Sequence, residues 1–223
     1  NEPPPREDCP ICMLPLPIDA YEQCFKSCCG KTICLGCIHA MAIEDIKKGK
    51  KFVRYDDAGM CAFCRTLRPI SDEEEVRRLK KIMKNGNADA FYELAGYYAQ
   101  GIKGMPQDWV KANELLLKAG ELGCAEAYSK LGYSYANGMG VEANKKKAKH
   151  YWELAAMKGD LIARHNLGCV EGDAGNLQRA YKHILLAARA GHTESLDKVK
   201  EGFMDGDVMK DEYESTLRAY HER

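Results

Sequence analysis

Residues 125–160 read AEAYSKLGYSYANGMGVEANKKKAKHYWELAAMKGD, two alanine-containing apolar segments separated by a loop that contains glycines. Small residues such as Ala127 and Gly132 recur where two helices must approach closely, while Trp152 supplies bulk. Gly138 lies in the loop, where a turn needs backbone freedom that a side chain would deny. The stretch therefore predicts a helix, a loop and a second helix.

The same pattern recurs on both sides of this stretch at spacings of 37, 36 and 32 residues. A period in this range is typical of a solenoid, because one helical pair cannot bury its apolar face without neighbours. The fourth copy has Ser195 at the position where the other copies have alanine, and we interpret this copy as a degenerate terminal cap. The aligned first helices carry Ala90-x-x-x-Leu94, Ala127-x-x-x-Leu131, Ala163-x-x-x-Leu167 and Ser195-x-x-x-Val199.

The repeat resembles a known family in its detailed spacing. The pattern A-x-x-x-L-G-x-x-Y-x-x-G-x-G-V, followed by K-A-x-x-Y-x-x-x-A-A-x-x-G, is similar to a Sel-one-like repeat, a relative of the tetratricopeptide repeat. This resemblance implies an all-α helical-hairpin solenoid over residues 87–223, with about three repeats and a degenerate C-terminal cap. It also implies a surface that binds another protein, either a substrate or an adaptor. The matching residues of the second repeat are Ala127, Leu131, Gly132, Tyr135, Gly138, Gly140, Val141, Lys147, Ala148, Tyr151, Ala155, Ala156 and Gly159.

The segment before the repeats, residues 71–86, predicts a linker helix. Ser71 and Glu74 have the S-x-x-E spacing of a capping box, acidic residues come first, basic residues follow, and Gly86 can end the helix. At the other end of the chain, residues 1–8 contain three consecutive prolines, and we expect a disordered lead there.

Nine of the eleven cysteines lie before residue 65, and six of them form three Cys-x-x-Cys turns that begin at Cys9, Cys34 and Cys61. Zinc prefers four thiolate or imidazole ligands in a tetrahedron, and each such turn delivers two sulfurs to one ion. Three turns supply six ligands, two fewer than two complete sites need. The missing pair must come from Cys24, Cys28, Cys29 or a histidine. Disulfides in a secreted protein are the alternative interpretation.

Four cysteine pairs in this order resemble a RING finger over residues 9–70. The resemblance implies a small cross-brace, loop-rich α+β domain with two structural Zn²⁺ ions, in which the first and third pairs bind one ion and the second and fourth bind the other. Most RING fingers have a histidine where Lys31 stands here, and an all-cysteine subclass has a cysteine two residues earlier. Cys24 competes with Cys28 for one place, and His39 is a third possibility. The implied ligands are Cys9, Cys12, Cys34 and Cys37 for one site, and Cys28, Cys29, Cys61 and Cys64 for the other.

The RING resemblance further implies a ubiquitin ligase that recruits a ubiquitin-conjugating enzyme. Its contact residues would be Ile11, Ile38, Met41 and Arg65, although Ala62 stands where ligases commonly have proline. No catalytic residue is predicted, because such ligases act by proximity and orientation. The alternative is a non-enzymatic scaffold in which the zinc module serves docking or dimerisation.

Composition argues against several other functions. The formal net charge is zero and the pI is about 7.1, so we expect neither nucleic acid nor an anionic membrane as a partner. No apolar run has the length of a membrane span, and we expect an intracellular protein, cytoplasmic or nuclear. The basic stretch KKGKKFVR at 47–54 is predicted to be a solvated loop, and we find neither a catalytic triad nor a phosphate-binding loop.

Overall fold

The computed structural model describes residues 7–17, 22–47 and 60–222. Most of the predicted lead at 1–8 and of the basic stretch at 47–54 therefore lies outside the described residues. Contacts divide the chain into two compact units, Pro5–Leu122 and Gly123–Arg223. The first Sel-one-like repeat thus shares a unit with the cysteine-rich segment.

The cysteine-rich segment contains a short antiparallel hairpin followed by a helix. Strand β1, Gln23–Lys26, pairs with β2, Lys31–Cys34, and helix α1, Leu35–Lys47, follows directly. The turn closes where the carbonyl of Lys26 accepts the backbone N–H groups of Cys29 at 3.2 Å and Gly30 at 2.8 Å. The hairpin and α1 contribute Ile33 and Ile38 to a small buried core that also contains Cys9, Leu16 and Cys61.

Helix α2, Asp72–Met83, occupies the segment where a linker helix is predicted. Ser71 caps it, since its Oγ accepts the backbone N–H of Glu74 at 3.2 Å. The Glu74 carboxylate accepts the N–H of Ile70 at 3.0 Å, so the capping residue reaches one position further back than in a standard capping box. Helices α3, Ala88–Gln100, and α4, Trp109–Glu121, complete this unit.

The second unit consists of six helices in three hairpins. In each hairpin two consecutive helices pack together, and α6 also packs against α7 and α8 against α9, so neighbouring hairpins stack. The confirmed all-helical repeat architecture follows from this arrangement. The helices are α5 Ala125–Asn137, α6 Lys145–Met157, α7 Leu161–Asp173, α8 Leu177–Arg189, α9 Thr193–Met204 and α10 Lys210–His221.

The second repeat shows why its sequence needs a small residue at Gly132. A Cβ atom at this position would lie 2.5 Å from Cδ1 of the Trp152 ring, which is far inside van der Waals contact. The indole Nε1 of Trp152 donates to the carbonyl of Ser129 at 3.1 Å, and this hydrogen bond holds the ring against α5. The predicted close approach of the two helices is thus present at an identified pair of residues.

None of the helices that the structure describes is long and apolar enough to cross a membrane.

Candidate metal centres

Two of the Cys-x-x-Cys turns have the same backbone geometry. The N–H of Cys9 donates to the carbonyl of Leu14 at 2.8 Å, and the N–H of Met13 donates back to Cys9 at 2.9 Å. In the other turn Cys61 bonds to Thr66 at 2.8 Å, and Arg65 bonds back to Cys61 at 3.0 Å. The residue four places after the first cysteine is left-handed in both turns, with φ of 57° and 60°. Both cysteines of each turn are thereby held on one side of a closed knuckle.

The remaining four cysteines lie at the two ends of β2. Cys28 and Cys29 occupy the hairpin turn before it, whereas Cys34 ends the strand and Cys37 lies in the first turn of α1. The continuous segment 28–37 therefore supplies one cysteine pair before β2 and another at the end of β2.

The structure brings the eight cysteines together as two groups of four. Cys9, Cys12, Cys34 and Cys37 form the first, Cys28, Cys29, Cys61 and Cys64 form the second, and within each group all sulfurs lie within 4.8 Å of one another. These are the two sets that the RING resemblance implies. Among the described residues, no further group of three or more His, Cys, Asp or Glu side chains lies this close together.

The spacing of the sulfurs fits a tetrahedral ion. Ligand sulfurs about 2.3 Å from zinc lie about 3.8 Å from one another in a tetrahedron. In the first group the distances are 3.9 Å for Cys9 to Cys37 and 3.9 Å for Cys12 to Cys34. In the second group they are 3.9 Å for Cys29 to Cys61 and 3.3 Å for Cys28 to Cys64. A disulfide needs about 2.05 Å, so none of these four contacts is a disulfide bond.

The other two ligand candidates belong to neither group. Cys24 lies on β1, where its Sγ is 3.7 Å from the carbonyl of Phe25, and His39 is exposed on α1. Of the two cysteines considered for one place, the structure therefore brings Cys28 to the second group.

The pKa values of the thiols differ within each group. Burial raises the pKa of Cys37 in the first group, whereas backbone hydrogen bonds from Cys12, Cys34 and Ile11 outweigh burial and lower the pKa of Cys9 to about 6. At Cys37 the neighbouring sulfurs act in the same direction as burial, so both disfavour negative charge on this thiol. A divalent ion would supply the missing positive charge, and its binding would release protons.

The second group also contains thiols whose pKa values are shifted in opposite directions. Burial raises the pKa of Cys28 and raises that of Cys29 to about 11, with the nearby sulfurs acting in the same direction. At Cys64 the hydrogen bonds of Thr66 outweigh burial and lower the pKa to about 6.

The four residues predicted to contact a conjugating enzyme differ in accessibility. Ile11 is 38% exposed on the first knuckle, whereas Ile38 is only 7% exposed and packs in the core of the module. Met41 is half-buried, and its Sδ lies 4.0 Å from Nη1 of the exposed Arg65. Ile11, Met41 and Arg65 thus offer surface, and Ile38 contributes to packing.

Side-chain contacts join the cysteine-rich segment to α2 and α3. Sequence reasoning did not identify these side chains. Asn87 Nδ2 donates to the carbonyl of Gly30 at 3.2 Å, while its Oδ1 accepts the N–H of Ala90 at 2.8 Å and caps α3. Phe25 packs against the core shared by α2, α3 and α4, and Arg78 Nη1 donates to the carbonyl of Leu67 at 2.6 Å. An Asn directly before a predicted helix can be recognised in the sequence as an N-cap. The second hydrogen bond of Asn87, to Gly30, depends on a tertiary contact and cannot be recognised in this way.

The helical hairpins match a known family. The Sel1 repeat family model matches residues 88–124, 125–160 and 161–192. Residues 88–192 are Sel1 repeats. The match ends before α9 and α10, and it does not extend into the cysteine-rich segment, so the degenerate final copy stays a prediction.

A curated relative is similar to half of the chain. The ERAD-associated E3 ubiquitin-protein ligase component HRD3B of Arabidopsis thaliana is 29% identical over 113 residues, which is 50% of this chain and 18% of the relative. The chain therefore spans about a fifth of the length of this relative.

Two solved structures share the fold. A Sel1 repeat protein from Oxalobacter formigenes superposes with a TM-score of 0.59 at 22% identity, covering 67% of this chain and 64% of the other. The protective antigen c5321 of uropathogenic Escherichia coli, which displays an SLR fold, gives a TM-score of 0.57 at 28% identity, covering 66% of this chain and 33% of the other. The repeats of this chain form a solenoid module for protein–protein interaction.

Proposed function

We propose that the protein is a RING-type ubiquitin ligase whose zinc module recruits a ubiquitin-conjugating enzyme and whose repeats bind a protein substrate or adaptor. The observation that carries the proposal is the interleaving of the cysteine pairs, in which the first and third pairs form one group and the second and fourth form the other. Two structural Zn²⁺ ions would fit these groups, because four sulfurs close the coordination shell and leave no position for a substrate water.

The chain's own contribution to ubiquitin transfer would be positional. Ile11 and Met41 would offer apolar contact to the conjugating enzyme, and Arg65 would place a cation beside them. With no nucleophile of its own, the ligase would increase the rate by holding the conjugating enzyme and the substrate in a reactive orientation.

The curated relative supports this context. Its name describes a component of an E3 ubiquitin-protein ligase associated with ERAD, and its similarity to this chain extends over 113 residues. An interaction module of this type is suited to bring a substrate or adaptor to the zinc module.

A non-enzymatic scaffold is the second candidate, and one observation favours it. Ile38 is buried in the module core, so one of the four contacts that the ligase resemblance implies is not available at the surface. In this case the zinc module would support docking or dimerisation.

Metal content tests the zinc step alone. Elemental analysis of the purified full chain is expected to give two zinc ions per molecule. Cys28→Ser should lower the zinc content by about one ion, whereas the matched Cys24→Ser should retain both, because Cys24 lies outside the two groups. Fewer than one zinc ion per wild-type chain would refute the zinc proposal.

Autoubiquitination with a panel of conjugating enzymes separates the ligase from the scaffold. Ile11→Ala and Arg65→Ala are expected to lower the rate while preserving the zinc content, since neither side chain supplies a sulfur ligand. Absence of activity with every conjugating enzyme, in a chain that holds two zinc ions, would favour the scaffold.

We further propose an intracellular location, cytoplasmic or nuclear, because thiolate–metal sites persist in reducing compartments.

A further inference from the structure

A basic groove runs along the exposed face of α2, beside the loop between α3 and α4. It has a volume of about 630 Å³, and five of its nine lining residues are cations while one, Glu73, is an acid. Arg77, Lys80, Lys81 and Lys84 follow one another at helical spacing, so their side chains share one face of α2. The groove therefore carries a local excess of positive charge, although the formal net charge of the whole chain is zero.

Three of these cations have no partner within the described chain. Lys80, Lys81 and Lys84 are exposed, and they form no ion pair with any residue that the structure describes. Lysines in the last turn of a helix also stabilise its dipole, which accounts for a cation at this end. The dipole does not account for the apolar floor of the groove, where Val76 is 5% exposed and Met105 is half-buried.

The opposite wall of the groove is held in place by Lys103. Its Nζ bonds to Asp72 at 2.9 Å and to Glu75 at 2.8 Å, so its charge is neutralised locally. Its backbone is left-handed, with φ of 57°, a conformation that costs energy for a residue with a side chain. Two ion pairs therefore hold the loop in the conformation that forms the groove.

We infer that this groove binds an acidic segment of a protein partner, with carboxylates facing Lys80, Lys81 and Lys84 and an apolar side chain over Val76 and Met105. Carboxylates about 6 Å apart, one helical turn, would match the lysine spacing. This inference deepens the proposed function, because it names the class of protein segment that the chain would bind.

A continuous polyanion fits the groove less well than a peptide. Glu73 lies in the groove wall, and the first turn of α2 is wholly acidic from Asp72 to Glu75. The successive phosphates of a nucleic acid would be repelled by the acidic first turn of α2, whereas a peptide can place a neutral or basic residue there. The charge distribution thus favours a protein segment over a nucleic acid.

Fluorescence anisotropy with a labelled peptide of about twelve residues, rich in Glu with Leu at every third position, tests the inference on the full chain. The acidic peptide should bind, rising salt should weaken binding, and a peptide with Gln in place of Glu should bind at least about tenfold more weakly. The assay contains no conjugating enzyme, so its failure is distinguishable from failure of the ligase proposal.

Matched charge variants locate the binding site. Lys80→Glu/Lys81→Glu/Lys84→Glu should weaken binding by about tenfold or more, because it places three acids in the groove. The neutral variant with Gln at the same three positions should weaken binding by about fivefold, without an unfavourable charge at the end of α2.

The control variant Lys145→Glu/Lys146→Glu/Lys158→Glu changes the net charge equally at exposed positions elsewhere and should leave affinity within about twofold. Equal losses in the groove and control variants would overturn the inference, as would absence of peptide binding. Tighter binding of a single-stranded oligonucleotide would assign the groove to nucleic acid instead.

Discussion

Asn87 is expected to stabilise the protein through two separate hydrogen bonds, and Asn87→Ala removes both. Loss of an N-cap costs about 1 kcal/mol. The carbonyl of Gly30 is buried and would lose the Nδ2 donor at 3.2 Å, and an unsatisfied buried acceptor costs about 1–3 kcal/mol. The free energy of unfolding of the unit that contains Asn87 should therefore fall by about 2–4 kcal/mol.

Asn144 provides the matched control, because it caps α6 through an equivalent bond and its side chain has no second hydrogen-bond partner in the described chain. Its Oδ1 accepts the N–H of Lys147 at 3.0 Å. Asn144→Ala should therefore cost only about 1 kcal/mol. Asn87→Asp retains the capping acceptor but turns a carboxylate oxygen toward the Gly30 carbonyl, so its cost should be at least the difference between the two alanine variants, about 1–3 kcal/mol.

Urea unfolding followed by circular dichroism gives the free energies, and segment-resolved hydrogen exchange shows which unit is affected. Asn87→Ala should accelerate exchange in α3 and in the β1–β2 turn, whereas Asn144→Ala should accelerate exchange in α6. If Asn87→Ala cost no more than Asn144→Ala, or if Asn87→Asp were as stable as the wild type, the bond to Gly30 would contribute nothing and the reasoning would be refuted.

Three further perturbations test other parts of the structure. Gly132→Ala should destabilise by about 1–3 kcal/mol, because its Cβ would meet the Trp152 ring. At Gly96 an added Cβ would only touch Gln100 Nε2 at 4.0 Å, so Gly96→Ala should be neutral or stabilising; equal urea midpoints would contradict this. Burial lowers the pKa of His192 below 6.5, and its Nδ1 accepts the Ser195 N–H at 3.2 Å. The unfolded chain then binds more protons, so the stability present above about pH 6.5 is lost as the pH falls toward the folded pKa. His192→Asn retains a cap that does not titrate, and its melting temperature should fall less steeply from about pH 7 to about pH 5.5; parallel slopes would contradict the assignment. A strong zinc chelator should accelerate amide exchange in the unit that contains the cysteines and leave residues 123–222 unchanged; equal acceleration in both units would argue against a local metal requirement.

The repeat architecture could be predicted from the sequence because each hairpin is local. The spacing of Ala127 and Leu131 from their counterparts identifies the period, and Gly132 indicates where two helices approach. These signals depend on contacts between residues close in sequence, which is why the helical solenoid was correctly predicted and matches the family model.

The cysteine groups could be proposed only with the help of a resemblance. Spacing alone gives pairs, but it does not say which pairs meet, and it left Cys24 and Cys28 as alternatives. In the structure Cys28 lies in the hairpin turn and belongs to the second group of sulfurs, whereas Cys24 lies on the strand outside both groups. Metal binding by these residues stays a prediction.

Tertiary contacts explain what the sequence could not indicate. Ile38 and Ala42 lie one helical turn apart and are both buried, so the side of α1 that carries Ile38 faces the core, although the residue type alone suited a surface contact. The bond from Asn87 to Gly30 joins residues that are 57 positions apart. A cap can be predicted from local sequence, but a bridge of this separation requires the folded chain.

The interleaved order of the cysteine pairs has a structural reason in β2. This strand has four residues, about 13 Å at the usual rise, and one cysteine pair lies at each of its ends. Ile33 on the strand and Cys9 of the first group are fully buried, and they share a core with Cys61 of the second group, which is 5% exposed. A segment of this length cannot bring both of its cysteine pairs to one ion, so each pair must join a different knuckle. The two groups therefore enclose one core, and loss of either group would remove support from the packing that orients the other.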